Sequence, residues 1–273
     1  MTHSGADIAQ LLSAHGLRPS RALGQNFVAD PNTVRRIARL AGVAAGSRVL
    51  EIGAGLGSLT LALAETGATV VALETDRHLI PVLRSVVEPV GVEVVEGDAM
   101  TIDLAALVAE RAEGPWSLVA NLPYNVATPL VLRALVEVPA VAHLLVMVQR
   151  EVGERMAAGA GDDAYGAVSV RIAYFARAEV VGRVPASVFI PRPRVESVLV
   201  RLDRLPAPAV DPAVVSYERL DAVVRAGFAQ RRKMLRRSLA GVVDPAAFER
   251  AGVRPDARAE ELGVAEWGRL AAL

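Results

Sequence analysis

Between residues 48 and 148 the chain repeats one pattern: a short run dominated by apolar positions, a turn, then apolar residues at helical spacing. The runs at 48–52, 69–74, 92–96, 116–120 and 143–148 predict strands, and 58–65, 76–87, 104–109 and 128–136 predict the helices between them. The last run is apolar without alternation, as suits a parallel strand buried on both faces. Strands alternating with helices make a parallel sheet covered on both sides, an α/β fold. Right-handed crossovers bring the carboxyl ends of such strands to one rim. Gly53, Glu74, Asp98 and Asn121 follow one another at intervals of 21, 24 and 23 residues, about one strand-helix repeat each, which places all four at that rim.

The flanks are less regular. Residues 7–15 predict a short helix, 16–30 a polar, irregular lead-in containing Gly24, Gln25, Asn26 and Phe27, and 31–41 a helix with Val34, Ile37, Ala38 and Ala41 on one face. Beyond the fifth strand come a charged helix at 149–156, a loop of small residues and a helix at 165–175. Strands at 179–184 and 195–202 are expected at the end of the sheet. Pro206, Pro208 and Pro212 mark a linker, and helices are expected at 214–226, 228–239, 245–251 and 265–272. The division implied is a sheet domain at 1–205 and a small all-helical domain at 206–273.

Composition changes this picture in few places. The 273 residues are 52% hydrophobic and only 4% aromatic, with a formal charge of zero, so bulk charge does not advertise a polyanionic partner. Its distribution does: residues 212–240 carry seven basic side chains against Glu218 and Asp221, a net of +5. Arg231, Arg232, Lys233, Arg236 and Arg237 form the densest part of that set, a candidate contact for RNA phosphates or else a solvated helix face. Cysteine is absent and the four histidines show no ligand spacing, so neither disulfides nor a metal site is expected. No apolar run approaches the roughly 20 residues that span a bilayer, and a cytoplasmic, monomeric protein without a membrane partner is expected.

Two stretches carry candidate chemistry. Glu51-Ile-Gly53-Ala-Gly55-Leu-Gly57-Ser58 follows a strand and opens a helix, so its glycines let backbone N–H groups approach a ligand closely. The third glycine comes one residue earlier than in the dinucleotide fingerprint, a spacing suited to the amino-acid portion of S-adenosylmethionine. Glu74 is placed to accept from two ribose hydroxyls and Asp98 from the adenine amino group, although each acid alone is equally compatible with a solvated strand end. The second stretch is Asn121-Leu122-Pro123-Tyr124, where Pro123 stops a strand and leaves a turn at the rim. A side-chain amide, backbone carbonyls and an aromatic face suit a planar group bearing an exocyclic amine.

Together these motifs are those of Rossmann-like S-adenosylmethionine-dependent methyltransferases. With Leu23-Gly-Gln-Asn-Phe-Val28, Glu96-Gly-Asp-Ala-Met100, Gln149-Arg-Glu-Val152, Tyr165-Gly166, Phe189-x-Pro-x-Pro-x-Val-x-Ser197 and Gln230-Arg-Arg-Lys233, the chain resembles the KsgA family of small-subunit ribosomal RNA adenine dimethyltransferases. Val28 and Ala54 stand where the family usually has leucine and proline. The resemblance implies that Asn26, the Val28 backbone, Gly53, Gly55, Glu74, Asp98, Ala99 and Asn121 hold the cofactor. It implies two methyl transfers to N6 of each of two adjacent adenines in the 3′-terminal hairpin loop of 16S RNA, in an immature small subunit. Asn121 and the Leu122 carbonyl would hold the amine and stabilise charge developing on it, and Tyr124 and Phe189 would stack on the purine. The alternative for the same two aromatics is a place in the core. The Erm-type large-subunit methyltransferases share fold and motifs, but Leu56, Leu59, Leu122 and Gln230-Arg-Arg-Lys233 favour the first family. An assembly factor acting mainly by binding is a further alternative.

Overall fold

The computed structural model describes residues 2–20, 22–230 and 232–273. Among these described residues nine strands are present: β1 (Phe27–Val28), β2 (Arg48–Ile52), β3 (Thr69–Glu74), β4 (Glu93–Glu96), β5 (Trp116–Asn121), β6 (Val141–Gln149), β7 (Ala176–Val184), β8 (Phe189–Ile190) and β9 (Ser197–Arg204). Seven form one sheet in the order β4-β3-β2-β5-β6-β9-β7. The first five of these are mutually parallel, and β9 runs antiparallel to β6 with His143 opposite Asp203 and Gln149 opposite Ser197. The order reverses direction at β2, between β3 and β5, and a crevice outside the carboxyl ends of strands at such a point is where open α/β sheets bind ligands.

Local sequence explains the helices that flank it. The first two are α1 (Gly5–Ala14) and α2 (Pro31–Leu40). Asp30 caps α2 by accepting from Asn32 and Thr33 N–H, Pro31 fits its first turn, and Val34, Ile37 and Ala38 bury one face. Next come α3 (Ser58–Ala64), α4 (Ile80–Val87), α5 (Leu104–Ala109) and α6 (Ala127–Glu137), which cover the sheet. The helix expected from residue 76 starts only at Ile80, because the Asp76 carboxylate accepts from His78 N–H and organises a turn first.

The chain separates into two compact units, Met1–Gly153 with Val180–Asp203, and Glu154–Glu179 with Arg204–Leu273. The second unit therefore takes in residues 154–179 in addition to the carboxyl-terminal helices, a different division from the one drawn at residue 205. The cause is packing: Tyr165, Val170 and Tyr174 share one apolar core with Leu220, Leu235, Phe248, Trp267 and Leu270, and the Tyr165 hydroxyl donates to the Leu262 carbonyl at 2.7 Å. No spacing rule links residue 165 to residue 262. This unit contains the end of α7 (Arg150–Ala157), α8 (Ala167–Phe175), α9 (Tyr217–Phe228), α10 (Leu235–Ser238), α11 (Ala247–Arg250) and α12 (Val264–Ala271). Gly227 in α9 lies against the Trp267 ring of α12, where a Cβ would collide with it.

The helix expected at 228–239 is broken. α9 ends at Phe228, Met234 forms an antiparallel bridge with Arg258, and of the described residues after Phe228 in this span only Leu235–Ser238 is helical. Leu235 and Leu239 are buried, and the Leu235 N–H goes to the Ala257 carbonyl at 2.8 Å, whereas the intervening run of charges offers no apolar face to hold a helical turn. Among the described residues, no helix is long and apolar enough to cross a membrane.

Candidate active site

A cavity of about 230 Å³ opens at the rim and is lined by residues of the first unit alone, from Ala22–Val28, the glycine turn, Glu74, Gly97–Met100 and Asn121–Val126. Gly53, Glu74, Asp98 and Asn121 all reach it, as the spacing predicts, together with Asn26, Val28, Gly55, Ala99, Leu122 and Tyr124. Phe189 does not. It is 3% exposed, pairs with Val28 across β1 and β8, and packs among Val28, Val34 and Leu199 in the core, so the expected second stacking face is absent from this arrangement. Its apolar ring finds more burial beneath the β1–β8 ribbon than at a wet rim. That ribbon, with the Ala29 N–H donating to the Val188 carbonyl at 2.7 Å, joins the irregular lead-in to the segment between the strands expected at 179–184 and 195–202.

The glycine turn is shaped by what lies over it. Gly53, Gly55 and Gly57 have φ of 74°, 59° and 83°, and a Cβ on Gly55 would come 3.0 Å from the Phe27 ring. Phe27 is thus the anchor that lays the lead-in across the site. The Gly55 N–H donates to Glu74 Oε2 at 2.7 Å, tying the turn to the end of β3. Glu74 Oε1 accepts from Thr75 and Asp76 N–H, both at 2.9 Å. A carboxylate offers about four acceptor positions, so three are already used and room remains for one ligand hydroxyl rather than two. Glu74 is nevertheless held above the usual carboxylate range, because burial outweighs these N–H groups.

Glu51 lies deeper, 2% exposed at the edge of the same cavity. Its pKa is pushed up to about 8: burial drives the rise, the Thr60 hydroxyl opposes it and the Glu74 charge adds to it. Glu51 Oε2 and the hydroxyls of Ser58 and Thr60 are buried without a well-formed hydrogen bond among the described residues. Unsatisfied polar atoms are costly, and those of Glu51 and Ser58 border a cavity, so a polar ligand group entering beside the glycine turn would find partners waiting. This fits the amino-acid end of S-adenosylmethionine.

The Asn121 turn is held from two sides. Asn121 Nδ2 donates to the Asn26 carbonyl at 3.0 Å, which ties the turn to the lead-in. The Leu122 N–H donates to the Met147 carbonyl at 3.1 Å, extending the β5–β6 ladder into the turn. The half-buried Tyr124 shares a 3.0 Å hydrogen bond between its hydroxyl and Ser197 Oγ, and Ser197 is fully buried. Ser197 closes the Phe189-to-Ser197 motif, yet its role was not readable before the fold brought β9 beside β6. Gln25 has a role that residue type does not announce: its Nε2 donates to Asp76 Oδ2 and its Oε1 accepts from Ser20 N–H, both at 2.7 Å, fastening the lead-in over the site.

Arg232, Lys233, Arg236 and Arg237 belong to the second unit and are exposed. Arg231 lies outside the described residues.

Residues 17–273 match the family model described as Ribosomal RNA adenine dimethylase. The chain is 47% identical to a protein of Leifsonia xyli subsp. xyli named Ribosomal RNA small subunit methyltransferase A, over 98% of this chain and 96% of that one. It is 46% identical to the protein of the same name from Thermobifida fusca, over 97% and 94%. Among solved structures it is similar to the 23S rRNA methyltransferase ErmE, with 27% identity, a TM-score of 0.70 and coverage of 90% and 98%. A dimethyladenosine transferase from Plasmodium falciparum shares the fold, with a TM-score of 0.73, 23% identity and coverage of 88% and 94%.

Proposed function

The chain belongs to the ribosomal RNA adenine dimethylase family, and we propose that it dimethylates N6 of two adjacent adenines in the 3′-terminal hairpin loop of small-subunit 16S RNA. The observation that carries this reading at the site is the meeting, in one cavity, of the glycine turn, Glu74, Asp98 and the Asn121–Tyr124 turn. Small-subunit RNA is preferred over large-subunit RNA because the relatives at 46–47% identity bear the small-subunit name, whereas identity to ErmE is 27%.

S-adenosylmethionine, the methyl donor in this reading, supplies an electrophilic methyl group on a sulfonium. Ser58 and the backbone of the glycine turn at Gly53 and Gly55 would hold its amino-acid end, Glu74 one ribose hydroxyl, and Asp98 with Ala99 the adenine, with Asn26 and Val28 alongside. The substrate adenine must leave its stack to enter such a pocket, which costs a few kcal/mol and less in a loop than in a duplex. Tyr124, its ring braced by Ser197, offers one stacking face. Asn121 Oδ1 and the Leu122 carbonyl accept from the amino hydrogens, turn the nitrogen lone pair out of conjugation and stabilise the positive charge that grows on it. The proton leaves after transfer, so no strong base is required.

The test uses the purified protein, which we take to act as a monomer, with S-adenosylmethionine and small subunits from cells lacking this modification. Mass spectrometry of the digested RNA should show dimethyladenosine at both loop positions. Modification of protein-free large-subunit RNA instead would overturn the assignment.

In the same reading the exposed Arg232, Lys233, Arg236 and Arg237 contact RNA phosphates, in an immature small subunit. Replacing them with glutamine is expected to weaken binding across RNA sequences and to flatten the salt dependence by about one unit of slope per lost contact. Filter binding at several salt concentrations measures the slope, and an unchanged slope would make the set a solvated surface.

A further inference from the structure

Arg133 in α6 reaches across to the segment that follows β4. Its Nη1 donates to the Ala99 carbonyl at 2.5 Å and its Nη2 to the Ile102 carbonyl at 2.8 Å, while Nε pairs with Glu137 at 2.7 Å. The guanidinium side chain is 16% exposed, so these charge-assisted bonds are largely shielded from water. The segment it grips is a tight turn. The Asp98 carbonyl accepts from Thr101 and Ile102 N–H, both at 2.9 Å, and Asp98 Oδ1 accepts from Met100 N–H at 2.8 Å. Gly97, Asp98, Ala99 and Met100 all line the cavity.

We infer that Arg133 is a positioning residue for the adenine end of the cofactor site: by holding the Ala99 and Ile102 carbonyls in one planar fork, it fixes where Asp98 presents its carboxylate to the adenine amine. The inference rests on the proposed methyltransferase reading and adds to it a residue that touches neither cofactor nor substrate. Two carbonyls separated by three residues need two divergent donors in a rigid plane, which a guanidinium has and an ammonium lacks. The turn itself is exposed at Asp98 and belongs to no helix or strand, so its position depends on such outside anchors.

The test compares binding of S-adenosylhomocysteine with that of S-inosylhomocysteine, in which an oxygen replaces the adenine amine. In the unaltered protein the amine should be worth at least about tenfold in affinity, since a hydrogen bond to a charged group is lost without it. In Arg133→Gln this preference should shrink to about twofold, and saturating cofactor should restore the single-turnover rate. Arg133→Lys, which can reach one carbonyl, should fall between. Arg111→Gln is the control, because Arg111 pairs with Glu93 and donates to the Leu107 carbonyl nearby without touching the turn; it should keep the full preference. Retention of the full preference in folded Arg133→Gln or Arg133→Lys, or its equal loss in Arg111→Gln, would overturn the inference. An unaltered protein that binds both ligands equally would overturn it too while leaving methyl transfer intact, and one that binds neither would instead count against the methyltransferase reading.

Discussion

Replacing Asn121 with alanine is expected to slow methyl transfer by about 10² to 10³ fold, because it removes an acceptor aimed at charge that exists only in the transition state. The fold should tolerate the change. Asn121 gives one neutral hydrogen bond to the Asn26 carbonyl, worth about 1 kcal/mol, while the turn itself stays attached through the Leu122 N–H and the Met147 carbonyl. Tyr124→Ala should behave differently, weakening capture of the base by about 1–3 kcal/mol through loss of a stacking face while leaving the rate at saturating RNA closer to normal. Single-turnover kinetics on small subunits, at saturating cofactor because Asn121 also borders that site, separates the two. A near-normal rate in Asn121→Ala would reduce the motif to a structural turn.

The second large effect concerns Glu51. Its folded-state pKa of about 8 stands above the ordinary value of 4.5, so folding binds a proton more tightly than the unfolded chain does. The stability this provides is fully present below about pH 4.5 and is lost as pH rises toward 8, at up to about 1.4 kcal/mol per unit and several kcal/mol in all. Glu74, also raised, acts in the same direction. Glu51→Gln imitates the protonated form and is expected to remove most of this slope, so that its advantage over the unaltered protein grows as the solution becomes alkaline. Urea unfolding of both proteins from about pH 5 to about pH 8 measures it, and parallel stability curves would show that the carboxyl titrates normally. Ligand binding beside the glycine turn should shift the profile, because Glu51 Oε2 is an unsatisfied atom at the cavity edge.

What the sequence by itself determined is the part of the protein governed by local periods. Continuous apolar runs separated by helical spacing specified the parallel strands, and the near-equal intervals from Gly53 to Asn121 brought four site residues to one rim before any contact was known. Glycine at positive φ and proline at a strand end announce themselves by residue type, so the two turns that make the site were legible as well. Tertiary structure alone decided the rest, wherever one part of the chain depends on a distant part. Phe189 and Val28 lie 161 residues apart and become neighbours only in the β1–β8 ribbon, which sent an apparent stacking residue into the core. Ser197 braces Tyr124 because β9 returns antiparallel beside β6, and Arg133 grips the Asp98 turn because α6 passes next to it. The helix expected through Arg232 and Lys233 failed because burial of Leu235 against the 254–258 segment outweighed local helical preference. Propensity acts over a few residues and contributes tenths of a kcal/mol at each, whereas a buried leucine contributes about 1.5–3 kcal/mol, and only the folded chain determines which leucines are buried.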